Sequence, residues 1–176
     1  MNNFERTPVA TSSDAFFFEK DKSKCTLILG VGNYLMGDEG VGVHLIQKMA
    51  KLNLPENLDI LDGGTGGFLL LNYFEAYRTI IFVDATMDGK PEGTVSLIRP
   101  KFASDFPSAL SVHDVGLKDL IESVYLLENK PDIRLFTISI KEIKPMTIEL
   151  SSKVQKAIPG TIEQIFKLTE QLQTDH

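Results

Sequence analysis

The sequence predicts an α/β protein of three layers, α/β/α, around a twisted, mostly parallel five-stranded sheet in which one strand, residues 94–98, is antiparallel. Two observations carry this reading. From residue 26 onward, short apolar runs alternate with stretches of helical period, the pattern of strands buried between covering helices. Between the run ending at Val83 and the β-like Thr94 to Ile98 lies only a short stretch with the turn signal Asp88-Gly89-Lys90-Pro91. That is too little chain for a right-handed parallel crossover, so the fourth strand is expected to be antiparallel to the third.

The elements follow in order. Thr26 to Gly30 reads as a buried strand. Behind it, Val41, Leu45 and Met49 share one helical face with Ile46 beside them, whereas His44, Gln47, Lys48 and Lys51 fall on the other, where His44 is expected to be solvated. Leu58 to Leu61 is the second strand; it runs into Asp62 and the loop Gly63-Gly64-Thr65-Gly66-Gly67, and a short helix follows through Leu70 and Phe74. Thr79 to Val83 is the third, with Asp84 just beyond it.

After residues 94–98, a loop containing Pro100 and Pro107 leads past His113 to a helix marked by Leu117, Leu120, Ile121, Val124 and Leu127. Ile133 to Ile140 is the last strand. The C-terminal segment has helical period through Val154 and Ile158 and is expected to break at Pro159-Gly160. It restarts behind Thr161, which forms a capping-box pattern with Gln164, and turns Ile162, Ile165, Phe166 and Leu172 inward. Residues 1–24 are polar, carry Pro8 and the run Phe16-Phe17-Phe18, and show no period; they are expected to be a flexible arm ahead of a single domain, residues 25–176.

Composition limits the function. With 176 residues and 43% hydrophobic content, one domain can bury about 70% of the surface its unfolded chain exposes. The single cysteine, Cys25, permits neither an intrachain disulfide nor a CxxC site, which points to a reducing cytoplasm. A formal charge of −6 disfavours nucleic acid. No apolar run approaches the roughly 20 residues of a membrane span, and no basic start leads into an apolar leader, so a soluble cytoplasmic protein is expected; a monomer is expected as well.

In open α/β sheets, ligands bind beyond the carboxyl ends of the strands, where the strand order reverses. Gly30 to Gly42 follows the first strand and holds Asp38 and Glu39 among glycines ahead of a helix. A dinucleotide fingerprint fails because Leu35 stands where the third glycine of GxGxxG belongs, and GxxxxGK[ST], GxSxG and HExxH do not occur. Of three histidines, His176 is terminal and His44 lies on the polar helix face, leaving His113 as the functional candidate. Glu39, Asp84 and His113 would make a three-ligand set with open positions, suited to nickel or zinc. The same residues also read as a first-turn acid answering the helix dipole, a turn-starting aspartate and a surface loop histidine.

Four segments carry a resemblance: Gly30 to Val43 (GVGNYLMGDEGVGV), Asp62 to Gly67 (DGGTGG), the apolar strand ending in Asp84, and Ser111 to Leu117 (SVHDVGL). In order and spacing they resemble the NiFe-hydrogenase maturation proteases. The resemblance implies an endopeptidase that removes a C-terminal tail from the hydrogenase large-subunit precursor once nickel has been inserted. It places the nickel-contacting and catalytic positions on Glu39, Asp84 and His113, with nickel supplied by the substrate and no permanently bound cofactor. It also implies that Asp62, Gly63, Gly64 and Thr65 contact the substrate and help to choose the hydrogenase partner; a tight strand-to-helix turn is the plainer reading of those glycines. Val112 departs from the family's usual proline and Glu149 from its common glycine; residues 1–24 have no counterpart. The rival readings are a peptidase owning a resident metal and a non-catalytic assembly checkpoint.

Overall fold

A computed structural model describes residues 26–66, 70–100, 124 and 130–174. The expected arm, His113 and, apart from Val124, the helix expected around Leu117 to Leu127 lie outside the described residues.

Strand β1 (Thr26–Val31) is buried throughout and leads through a 3₁₀ turn (Gly37–Gly40) into helix α1 (Val41–Met49). Then come β2 (Leu58–Gly64), the short helix α2 (Leu71–Phe74), β3 (Thr79–Thr86), β4 (Val95–Ile98), β5 (Asp132–Ser139) and helix α3 (Ser152–Thr174). The sheet has the order β2-β1-β3-β5-β4, parallel except for β4. One core lies between the sheet and helices α1 and α3, built on Ile28, Ile81, Val83, Leu45, Ile46, Ile158 and Ile162. The other, with Leu29, Phe82, Phe74 and Val124, covers the opposite face. The expected three layers are therefore present.

Two expectations change. Strand β4 does run opposite to β3, but its neighbour is β5. Both edges of β3 are already taken, by β1 and β5, so the connection after β3 has to pass over the end of β5. It is pinned there by the Asp88 carboxylate, which accepts from Ser139 Oγ (2.8 Å) and pairs with Lys90 (3.1 Å).

The second concerns the C-terminus, where one continuous helix of 23 residues runs through Pro159. Thr161 is no cap; its hydroxyl donates back to the Ala157 carbonyl (2.9 Å) within the helix. A proline inside a helix costs about 3 kcal/mol. Burying Ile162 and Ile165 beyond it contributes about 1.5–3 kcal/mol each, enough to carry the helix across. Pro159 itself is solvent-exposed, so water can satisfy the carbonyl it leaves unbonded. Pro159→Ala is therefore expected to stabilise the domain by about 1–3 kcal/mol, read as a higher urea midpoint at unchanged slope.

Candidate active site

The strand order reverses at β1, which has β2 on one side and the parallel strand β3 on the other. Gly30 pairs with Asp62 on one side and with Val83 on the other, so the carboxyl ends of β2, β1 and β3 form one rim. Such a switch point leaves a crevice at the β1 and β3 ends.

Helix α1 closes onto that crevice because residue 42 is glycine: a Cβ there would overlap the carbonyl oxygens of both Val31 and Val83. Gly32 holds a φ of 135°, a conformation an L side chain rarely adopts, and a Cβ on it would strike the Glu39 carbonyl. The loop between them is closed by Met36 N–H to the Asn33 carbonyl (3.0 Å) and by Leu35 N–H to Asn33 Oδ1 (3.0 Å). Glu39 thus lies three residues ahead of Gly42, on the side of the turn that faces the strand ends.

Glu39 is 3% exposed, and its Oε2 accepts the Asn33 N–H (3.0 Å). Asp84 is fully buried; its Oδ1 accepts the Ala85 N–H (2.7 Å). It sits inside β3 opposite Thr137, which corrects its reading as a turn-starting aspartate. By the two-residue alternation of a strand, Asp84 follows Ile80 and Phe82 toward the layer holding Val124. Acidic side chains are almost never this buried unless partnered, and a crevice holding two of them is a functional-site candidate. Among the described residues no group of three or more His, Cys, Asp or Glu side chains is placed to hold a metal. Two carboxylates alone can accept protons and bind a cation, but a closed ligand set requires a further donor.

Asp62 is placed differently. It alternates with Ile60 and so faces the α1 side of the sheet, opposite to Asp84. Its Oδ1 accepts the Gly64 N–H (3.0 Å), bending the strand end where Gly64 takes a φ of 47°. The structure carries β2 through Gly64, so Gly63 is still in the strand and Thr65, exposed, begins the loop. Burial raises the Asp62 pKa, and the Gly64 N–H only partly opposes this.

Two further residues have partners that the sequence does not show. Asp38, adjacent to Glu39, is buried and accepts the Ser151 N–H (2.6 Å), tying the start of α3 to the turn that carries Glu39. The pattern of paired acids gave no sign of this, because its partner lies 113 residues away. His44 is not solvated. Its ring stacks on Tyr34 with centroids 4.7 Å apart, Nε2 is buried, and burial lowers its pKa against a backbone hydrogen bond to Ile148.

A model of the hydrogenase maturation protease family matches residues 43–168. The hydrogenase expression/formation protein HupD of Rhodobacter capsulatus is 32% identical over 146 residues, covering 81% of this chain and 68% of that protein. The hydrogenase 2 maturation protease of Escherichia coli is 31% identical over 142 residues, covering 79% and 87%. The solved hydrogenase maturating endopeptidase HybD from E. coli superposes with a TM-score of 0.75 at 28% identity, over 84% of this chain and 93% of that one. Among the described residues no helix is long and apolar enough to cross a membrane.

Because the folded Asp62 pKa lies above its unfolded value, the native state holds the proton more tightly. Stability contributed by Asp62 is present below the unfolded pKa and is lost as pH rises through the folded one. At neutral pH the ionised side chain is therefore destabilising, while Asn would keep the acceptor for Gly64. Asp62→Asn is expected to raise the denaturant midpoint at pH 7, with the gain vanishing at about pH 3.

Proposed function

The chain belongs to the hydrogenase maturation protease family, whose members are endopeptidases, and from this we propose that it removes the C-terminal extension of a NiFe-hydrogenase large-subunit precursor that already carries nickel. The observation that supports the reading is the pair of buried carboxylates, Glu39 and Asp84, at the crevice between β1 and β3. Nickel belongs to the substrate in this scheme. Held by the precursor, it finds oxygen ligands in Glu39 and Asp84 and a nitrogen ligand in His113, and the protease needs no metal of its own.

The chemistry is peptide hydrolysis. A water oxygen adds to the scissile carbonyl carbon while a carboxylate takes its proton; the C–N bond then breaks and a proton goes to the leaving amine. Substrate nickel positions the tail and polarises the reacting groups. Nickel insertion is thereby read by binding, since a precursor without the metal lacks the anchor. Asp62, on the same rim but facing the other side of the sheet, takes with Gly63, Gly64 and Thr65 the role of contacting the precursor and selecting it. The protease works as a soluble, cytoplasmic monomer.

The test is the intact mass of a cognate large-subunit precursor, nickel-loaded and nickel-free, before and after incubation with the protein. Loss of a C-terminal fragment from the loaded sample alone is the expected result. Loss from both would remove the nickel gate, and loss from neither would favour a non-catalytic checkpoint; stoichiometric zinc in protein purified without added metal would favour a resident-metal peptidase. Glu39→Gln, Asp84→Asn and His113→Ala should each slow processing by about 100-fold or more. Asp62→Asn should change the ranking of several precursors while nickel dependence persists.

A further inference from the structure

Large apolar side chains that remain exposed among the described residues include Leu35, Met146 and Ile148, and these three lie on paired segments. Met36 and Thr147 form a parallel bridge. The Thr147 N–H donates to the Leu35 carbonyl (3.1 Å), and the Gly37 N–H to the Thr147 carbonyl (2.6 Å). The pairing brings Leu35 alongside residues 146–148. Met146 is 95% exposed and holds a φ of 58°, a left-handed conformation that costs free energy in any residue with a Cβ. Ordinary folding gains nothing from presenting methionine this way.

The platform under these side chains is fixed. Asp38 anchors Ser151 on one side, and His44 stacks on Tyr34 while bonding to the Ile148 backbone on the other. The same turn continues directly into Glu39, four residues after Leu35. An apolar surface of this kind marks a protein contact, and an enzyme acting on a folded protein gains specificity by holding parts remote from the scissile bond.

Resting on the reading of the previous subsection, we propose that Leu35, Met146 and Ile148 form an exosite that grips an apolar surface of the large-subunit precursor next to its tail. The precursor is the occupant because the patch is continuous with the Glu39 turn, so whatever seats on it lies over the crevice that the tail must enter. A second copy of this chain in that place would obstruct its own active site. Three side chains also fall well short of the roughly 800 Å² per partner that a stable dimer buries.

The experiment compares wild type, the double variant Leu35→Ser/Ile148→Ser, Met146→Gly and the control Leu97→Ser. Leu97 on β4 is 47% exposed against 48% for Ile148. Met146→Gly removes the side chain while relaxing the left-handed backbone, so it carries no folding penalty. The measurements are KM and kcat on the nickel-loaded precursor, the direct Kd for that precursor, and thermal midpoints. The double variant should raise KM and Kd about tenfold, more than it lowers kcat, at an unchanged midpoint. Met146→Gly should act in the same direction and Leu97→Ser should not. Unchanged KM and Kd in the first two variants, or an equal rise with Leu97→Ser, would overturn the exosite. So would self-association that the double variant abolishes without affecting precursor binding. If wild type fails to cut the precursor, the protease reading fails by itself, and the Kd comparison still decides the exosite.

Discussion

Helix α1 reaches the ends of β1 and β3 only because residue 42 carries no side chain, and the placement of Glu39 follows from that approach. The helix backbone lies against the carbonyl oxygens of Val31 and Val83, where a methyl group would overlap both. Interiors are packed too tightly to absorb such an overlap without moving a backbone. Gly30, Gly32, Gly40 and Gly42 therefore serve contact between backbones, which explains why they look like a nucleotide loop without being one. Their spacing is set by where the 3₁₀ turn and the first turn of α1 meet the strands, and no phosphate enters the requirement.

Most of the fold was legible because buried parallel strands write themselves as apolar runs. Ile28 pairs with Ile81, and both share a core with Ile138 of the last strand, all within runs that the sequence pattern marks plainly. Strand ends were harder. Asp84 and Asp62 look like turn residues, since polar side chains usually end a buried run, yet both remain in their strands. The identity of β4's neighbour could not be read from a local pattern, because a short connection fixes direction but not which edge is free. Pro159 misled for a related reason: a local penalty of about 3 kcal/mol is visible in the sequence, while the burial of Ile162 and Ile165 that offsets it depends on tertiary packing.

The carboxylates show the same division between local and distant causes. Asp38 and Glu39 are neighbours in sequence and similar in burial, but one binds the backbone at Ser151 and the other the backbone at Asn33 within its own loop. Asp62 and Asp84 flank β1 on a single rim, yet the strand alternation points them to opposite faces of the sheet. A motif identifies residue types that can do chemistry. Register and pleat decide which of them can act on the same atom, and this favours grouping Asp84 with the crevice and Asp62 with a separate contact surface.

The segment 141–151 connects these roles. It pairs with residues 35–37 through Thr147, receives Asp38 at Ser151, and covers His44 at Ile148. The turn that carries Glu39 is thus held from one side by β1 and β3 and from the other by chain more than 100 residues later. Holding a carboxylate in place costs conformational entropy as well as desolvation, and a loop tethered at one end only would leave its side chain free to turn toward water. With both sides tied, Glu39 stays buried at the crevice before any substrate arrives. Pre-organisation of this kind transfers the cost of assembling the site from the binding step to folding, where α3 and the two cores can offset it.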